Sequence, residues 1–195
     1  FFNETVDENG KLLDIEIHYP DNFNFGYDVI DAIAAEDPDK RALVWCNTEG
    51  EEHIFSFADI SRQSNRIANV LLAAGVKRGD RVMLALKRHY EYWFTVIALH
   101  KIGAVMVPVT HMLTPDDIVY RLEAANIRTI ICTTQNDVPA HMKAAIQRVG
   151  GDFKLWTLAE GIEGFACLNT AMANAPETLE RVETLATDPI AIYFT

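Results

Sequence analysis

Cysteine is scarce in this sequence, and its spacing excludes two kinds of stabilising site. The 195 residues contain only Cys46, Cys132 and Cys167, which are far apart and odd in number. Neither a CxxC pair nor a Cys–His cluster with zinc-ligand spacing is present, so we predict no disulfide framework and no metal site. Cys132 lies in the apolar run TIICT and is interpreted as a small buried apolar residue. Reduced cysteines favour a reducing compartment, and we predict the cytoplasm.

Basic residues are also few. The sequence has 17 Lys and Arg against 28 Asp and Glu, which gives a formal net charge of −11. Such an acidic surface repels phosphate backbones and anionic lipids, so we predict neither a nucleic-acid partner nor an anionic membrane surface. A small phosphorylated ligand remains compatible, because a few backbone N–H groups can hold a phosphate locally.

An uninterrupted apolar segment of membrane-spanning length is missing. The longest apolar stretch, WFTVIALHKIGAVMVPV, is broken by His100, Lys101 and Gly103, and it fits a helix followed by a strand better than a membrane span. The N-terminus FFNETVDENG lacks the basic and apolar regions of a signal peptide. Because the sequence starts at Phe1 rather than Met and stops within the apolar run PIAIYFT, we expect it to be part of a longer protein.

Common catalytic and phosphate-binding motifs are absent as well. The segment GVKRGDRV contains Gly75 and Gly79, but the sequence has no GxGxxG, GxxxxGK[ST] or HExxH pattern. Asp116 and Asp117 follow strong helix-start signals and are interpreted as helix-capping residues rather than as an acid–base pair. We therefore predict no catalytic residue and no metal ligand within these residues.

Alternating strand and helix patterns fill the sequence from Ser56 onward. The apolar runs DRVMLAL, AVMVPV, TIICTT, FKLWTL and PIAIYFT predict strands, and most of the segments between them have helical periodicity. Strands that alternate with helices of this length indicate βαβ units. Continuous apolar strands are typical of a sheet that is buried on both faces. The predicted fold class is α/β, with a doubly wound, mostly parallel sheet covered by helices.

The first quarter of the sequence differs from the rest. Residues 1–50 are predicted to form an N-terminal arm, a helix and the start of a hairpin, and residues 51–195 an α/β subdomain. Within the first part, residues 1–26 are expected to be extended, and YDVIDAIAAEDPDK predicts a helix. The strand-like runs RALVWC and HIFSF flank NTEGEE, which predicts a β-hairpin.

Two helices have clear start signals in the sequence. Ser56 and Asp59 have the spacing of a capping box. Thr114 is predicted as an N-cap with Pro115 as the first helical residue. Gly75 is predicted to end the first of these helices.

One turn is a candidate ligand site. Thr110, His111 and Met112 follow the predicted strand AVMVPV. Ligands of open α/β sheets bind at the carboxyl ends of the strands, so these residues are placed where a ligand could bind. The other histidines are interpreted as surface or core side chains: His18, His53, His89, His100 and His141.

Three stretches in the same order resemble the adenylate-forming enzymes, and within them the acyl-CoA synthetases. They are GVKRGDRVMLAL, the long segment YWFTVIALHKIGAVMVPVTHMLTPDDIVYRLEAANIRTII, and FNFGYDVIDAIAAEDPDKRALVW. The last is similar to the N-terminal arm of the medium-chain branch. The resemblance covers about residues 20–195 and implies part of the large N-terminal domain of such an enzyme.

The resemblance implies a reaction and its substrates. A carboxylic acid and Mg-ATP would give an acyl-adenylate and diphosphate, and coenzyme A would then give the thioester and AMP. In this family a strand like PIAIYFT leads into a Ser/Thr/Gly-rich phosphate loop ending in Lys, and Thr195 matches the threshold of that loop. The turn Thr110–Met112 would lie near coenzyme A or the acyl end. We expect the 195 residues alone to be inactive and to self-associate through the truncated sheet.

Other functions stay open at this point. One is a non-catalytic binding or interaction module with the same fold, and another is luciferase-like or peptide-synthetase adenylation. The segment ALKRHYEYW has a basic pair where a Pro-containing turn is usual. Acyl-chain preference is therefore left open.

Overall fold

The computed structural model describes residues 1–194. Their strands are β1 (Phe2–Val6), β2 (Leu12–Ile17), β3 (Arg41–Cys46), β4 (Glu52–Ser56), β5 (Arg81–Ala85), β6 (Val105–Pro108), β7 (Thr129–Cys132), β8 (Lys154–Thr157) and β9 (Ala166–Cys167). Their helices are a π-helix (Gly26–Asp31), α1 (Ala32–Glu36), α2 (Phe57–Ala73), α3 (Glu91–Ile102), α4 (Pro115–Ala124), α5 (Val138–Val149) and α6 (Leu168–Ala173).

Strands β5 to β9 form a parallel sheet in the order β6-β5-β7-β8-β9. Side chains of β5 alternate between the two faces, as a strand requires. Val82 and Leu84 pack in the cluster that contains α2, α3 and α6, whereas Met83 and Ala85 pack in the cluster that contains α4 and α5. Helices therefore cover both faces, and the predicted α/β fold class is confirmed.

The two capped helices begin where the sequence predicts. Ser56 Oγ accepts a hydrogen bond from the Asp59 N–H (3.2 Å), and the Asp59 carboxylate accepts one from the Ser56 N–H (2.9 Å). Thr114 and Asp117 form the same reciprocal pair at the start of α4. Gly75 follows the end of α2 with φ of 79°, a conformation that glycine adopts without strain. These predictions are confirmed.

Two antiparallel hairpins precede the parallel sheet. The predicted β3–β4 hairpin is present. The expected extended arm is itself a hairpin, because β1 and β2 pair over almost their whole length. The turn between them contains Gly10, whose φ of 78° is a conformation that glycine adopts without strain. Every residue of these two strands is exposed.

The final predicted strand is only partly formed. Ala191 makes an isolated parallel bridge with Met106, where the Met106 N–H donates to the Ile190 carbonyl (3.0 Å). The flanking residues up to Phe194 form no further ladder within the described chain. Pro189 has no N–H to donate at the start of this segment. The segment nevertheless covers the outer edge of β6.

None of the helices in residues 1–194 combines the length and the apolar character that a bilayer crossing demands. The division into residues 1–50 and 51–195 stays a prediction.

Candidate functional site

The loops that follow β6, β5 and β7 lie next to one another at the carboxyl edge of the sheet. The Val109 N–H donates to the Leu84 carbonyl (3.0 Å), which ties the end of β6 to β5. The Thr133 N–H donates to the Ala85 carbonyl (3.0 Å), which ties the end of β7 to the same strand. Side chains from three separate sequence segments therefore line one edge.

The turn Thr110–Met112 lies on this edge, between β6 and α4. The Met112 N–H donates to Thr110 Oγ1 (3.3 Å), and this bond shapes the turn. Met112 is 74% exposed, whereas His111 is half-buried. The capped N-terminus of α4 follows at Thr114, so the partial positive charge of the helix end lies close to the turn. The structure brings the three predicted residues together in one accessible turn.

The connectivity of the sheet marks a second position on the same edge. From β5 the chain passes to β6 on one side, and from β6 it crosses to β7 on the other side. The direction of winding thus reverses at β5, and the crevice outside β5 and β7 is the usual ligand position in such sheets. A cleft of about 610 Å³ lies here, between the loop after β5, the β3–β4 turn and Gln135.

The loop after β5 is held in a specific conformation. Arg88 has a positive φ of 42°, which is uncommon for a residue with a side chain. Its carbonyl accepts a hydrogen bond from Trp45 Nε1 (2.6 Å), and the Trp45 ring packs edge-on against Tyr90 at 5.4 Å. His89 Nε2 lies 3.0 Å from Thr133 Oγ1, at the end of β7. Burial is the main cause that lowers the pKa of His89, and nearby Lys87 lowers it further while Glu91 opposes the shift.

Sequence patterns do not indicate a polar network that the structure shows near the end of α3. Lys101 is fully buried, and its Nζ donates to Asp31 Oδ1 and Asn65 Oδ1, both at 2.7 Å. Burial lowers the pKa of Lys101, while Asp31 opposes the shift. A Cβ on Gly26 would lie 2.6 Å from Lys101 Cγ, so glycine is required where the π-helix crosses this side chain. The network fixes the first helical segment against α2 and α3.

His100 lies beside this network and lines an apolar groove of about 460 Å³. Its two ring nitrogens are buried and have no hydrogen-bond partner in the described chain. Burial lowers the pKa of this imidazole. Periodicity alone could not separate His100 from Lys101, since α3 is apolar on nearly all sides.

Two further predictions concern single residues. Cys132 is buried, and burial raises the pKa of its thiol to about 12, which agrees with its interpretation as a core residue. Thr195, the predicted threshold of a phosphate loop, lies outside the described residues. Residues 1–194 hold no group of three or more His, Cys, Asp and Glu side chains that could bind a metal ion.

Comparison with known proteins connects this architecture to a family. The sequence profile of the AMP-binding enzyme family matches residues 30–195. The chain is 34% identical over 197 residues to acyl-coenzyme A synthetase ACSM4, mitochondrial, of Rattus norvegicus, covering 98% of this chain and 34% of that protein. It is 35% identical over 190 residues to acyl-coenzyme A synthetase ACSM3, mitochondrial, of Homo sapiens, covering 93% and 32%. The chain thus spans about a third of the length of these relatives.

Solved structures share the fold. An acyl-CoA synthetase of Brucella canis superposes with a TM-score of 0.79 at 22% identity, covering 91% of this chain and 32% of that one. A putative long-chain-fatty-acid CoA ligase of Rhodopseudomonas palustris superposes with a TM-score of 0.75 at 25% identity, covering 87% and 41%. Because the family profile extends over most of the sequence, this chain belongs to the AMP-binding enzyme family.

Proposed function

We propose that this chain is the N-terminal part of an AMP-forming acyl-CoA synthetase. In the first step a carboxylate attacks the α-phosphate of ATP, which forms an acyl-adenylate and releases diphosphate. In the second step the thiol of coenzyme A attacks the acyl carbon, which forms the thioester and releases AMP. The observation that carries this proposal is the family match over residues 30–195, together with the names of the relatives.

The carboxyl edge of the sheet would form one wall of the ligand crevice. The turn Thr110–Met112 is accessible there, and we place coenzyme A or the acyl end of the substrate beside His111 and Met112. The flexible apolar side chain of Met112 suits contact with an aliphatic group. Thr195 would stand at the start of the loop that holds the ATP phosphates. In the first step, positioning and charge neutralisation would supply most of the catalysis.

The proposed substrates are a carboxylic acid, ATP and coenzyme A. Mg²⁺ would enter with the nucleotide, because this ion is commonly held by substrate phosphates and only one or two protein carboxylates. The ATP phosphates would therefore supply several of its ligands.

The proposed compartment is the cytoplasm, on the basis of the free cysteines. The names of the relatives include the word mitochondrial. Cell fractionation with an antibody against this chain separates the two locations, and recovery with a mitochondrial marker would refute the cytoplasmic proposal.

The reaction is tested on the intact protein with a panel of straight-chain and aromatic acids. We expect acid-dependent exchange of labelled diphosphate into ATP, and thioester formation when coenzyme A is added. The 195-residue chain alone is expected to show neither reaction. Met112→Ala should raise the KM for coenzyme A or the acid, whereas Leu13→Ala, at a residue that is 62% exposed on β2, serves as a control.

If no acid in the panel supports diphosphate exchange, the enzyme proposal is refuted and a binding module with this fold is favoured. Turnover by the 195-residue chain would show that the phosphate loop is not needed. Light scattering over a concentration series tests the further prediction that the isolated chain self-associates.

A further inference from the structure

We propose that Lys87 and Arg88 bind the phosphorylated nucleotide end of coenzyme A in the cleft outside β5 and β7. The proposal rests on the proposed function for the identity of the ligand. It assigns a ligand contact to the loop after β5, which is separate from the turn Thr110–Met112.

Topology is the first support for this site. The winding of the sheet reverses at β5, and the loops after β5 and β7 flank the resulting crevice. His89 Nε2 lies 3.0 Å from Thr133 Oγ1, so the two loops are in contact at this edge. The cleft of about 610 Å³ has the size of a small-molecule site and is lined in part by Lys87, Arg88 and Gln135.

Charge is the second support. Lys87 and Arg88 are both exposed, and neither forms an ion pair with a carboxylate of residues 1–194. At the opposite end of β5, by contrast, Arg78 pairs with Asp188 at 2.6 Å. The Lys87 and Arg88 side chains are thus both available to an anionic ligand, although the chain as a whole has a net charge of −11. Phosphate oxygens are suitable partners for a guanidinium and an ammonium group.

The fixed backbone is the third support. The hydrogen bond from Trp45 Nε1 (2.6 Å) holds the Arg88 carbonyl, while Arg88 keeps a positive φ. The loop is thus tied to β3 at one point and to β7 at another through His89. The backbone positions of the two cations are thus fixed before a ligand binds, which removes part of the entropy cost of binding.

The ligand class follows from the contents of the cleft. Trp45 lines it beside the cations, and an aromatic ring next to basic groups suits a nucleotide. Glu49 and Glu51 form part of the other wall, and their charge opposes an anion. Direct contact between the phosphates and the two cations is needed to offset this repulsion. Neutralising Glu49 should therefore tighten binding of the phosphorylated ligand. In the proposed reaction, coenzyme A supplies a phosphorylated nucleotide that is distinct from the adenylate.

The first experiment compares coenzyme A with dephospho-coenzyme A, which lacks the 3′-phosphate, as substrates of the intact protein. In the double variant Lys87→Gln/Arg88→Gln we expect the KM for coenzyme A to rise about tenfold or more, because charge-assisted hydrogen bonds are lost. The KM for dephospho-coenzyme A should change much less. The kcat and the acid-dependent diphosphate exchange, which do not use this contact, should remain unchanged.

Two control variants make the comparison specific. Lys77→Gln removes one positive charge near the amino end of β5 and should leave both KM values unchanged. Glu49→Gln should lower the KM for coenzyme A. Equal changes for the two thiol substrates, or no change in the double variant, would overturn the proposal.

Direct binding keeps the proposal testable if the enzyme reaction fails. Calorimetry with adenosine 3′,5′-bisphosphate measures the site without turnover. The anion site is supported if the wild type and Lys77→Gln bind this ligand and the double variant binds it with an affinity that is lower by about tenfold or more. This result would support the site even if no acid drives exchange. Equal binding by all variants, or no binding by the wild type, would refute the site. Absent exchange with intact binding would refute only the proposed reaction.

Discussion

The strands of the parallel sheet and of the N-terminal β1–β2 hairpin both contain large apolar side chains, yet the two regions are stabilised differently. In β7 all four residues are buried, and in β5 all but Arg81 are buried. In β1 and β2 every residue is exposed, including Phe2 and Ile17 at 61% and 66%. In this chain, the strands that helices cover on both faces form a core, whereas the uncovered strands of the hairpin stay exposed.

The difference lies in what surrounds each pair of strands. The sheet has helices on both faces, so each core side chain is removed from water on folding. The hairpin has its own ladder and little else, with the ring of Phe1 against Phe23 at 4.9 Å as one of its contacts to the body. An isolated two-stranded hairpin is only marginally stable. Chemically similar substitutions should therefore have very different effects in the two regions.

The largest difference is expected for an Ile→Ala substitution. Ile131 is fully buried in β7, and Ile131→Ala should lower the free energy of unfolding by about 2–5 kcal/mol. Ile15 is 45% exposed in β2, and Ile15→Ala should change the free energy of unfolding by about 0.5 kcal/mol or less. Urea denaturation followed by circular dichroism measures both. Equal losses would show that the hairpin is part of the cooperative core.

The next effect concerns the buried cation. Lys101→Met keeps the apolar stem but leaves Asp31 and Asn65 without their shared donor. We expect a loss of about 1–3 kcal/mol, because the 28% exposed Asp31 side chain can be partly rehydrated. Arg62→Met, at the exposed pair with Asp59, is the control and should cost about 0.2–1 kcal/mol. A Lys101 variant as stable as this control would mean that the network contributes little.

Sequence reasoning succeeded where the signals are local. Ser56 and Thr114 mark helix starts through residues three positions apart, and both helices begin there. The partial pairing of residues 190–192 with β6 could not be predicted, because parallel pairing depends on contacts between residues far apart in the chain. The turn Thr110–Met112 is predictable from its position directly after an apolar strand pattern. The cleft at Lys87 requires the sheet order β6-β5-β7 and the position of the β3–β4 turn, which local patterns do not contain.

A smaller effect compares side-chain oxygens that accept backbone hydrogen bonds in both regions. Ser56 Oγ caps α2, and Ser56→Ala should cost about 1 kcal/mol because the Asp59 N–H loses its partner. Asp7 Oδ1 accepts from the Asn9 and Lys11 N–H groups in the hairpin turn (2.8 and 2.9 Å). Asp7→Ala should leave the free energy of global unfolding within about 0.5 kcal/mol of the wild-type value. A larger global loss at Asp7 than at Ser56 would contradict the comparison.

The core should also show a pH dependence that arises from His100. Burial lowers the pKa of this imidazole in the folded state, so the unfolded chain binds the proton first as the pH falls. Stability is therefore lost as the pH decreases from about 6.5 towards the folded-state pKa. Denaturation at a series of pH values should show a shallower slope for His100→Phe than for the wild type. An unchanged slope would exclude a contribution from His100.

The smallest global effect is expected at Gly10. Gly10 and Gly75 have nearly equal φ of 78° and 79°, so alanine is strained at both positions. Gly75 follows α2, which packs on the core, and Gly75→Ala should lower the free energy of unfolding by about 1 kcal/mol. Gly10 lies in the exposed turn, and Gly10→Ala should open β1–β2 locally while the unfolding midpoint stays unchanged. Amide hydrogen exchange detects this opening, because the N–H groups of the β1–β2 ladder would lose protection while those of β5 and β7 keep it. Lost protection in both regions would show that the hairpin and the parallel sheet unfold as one unit.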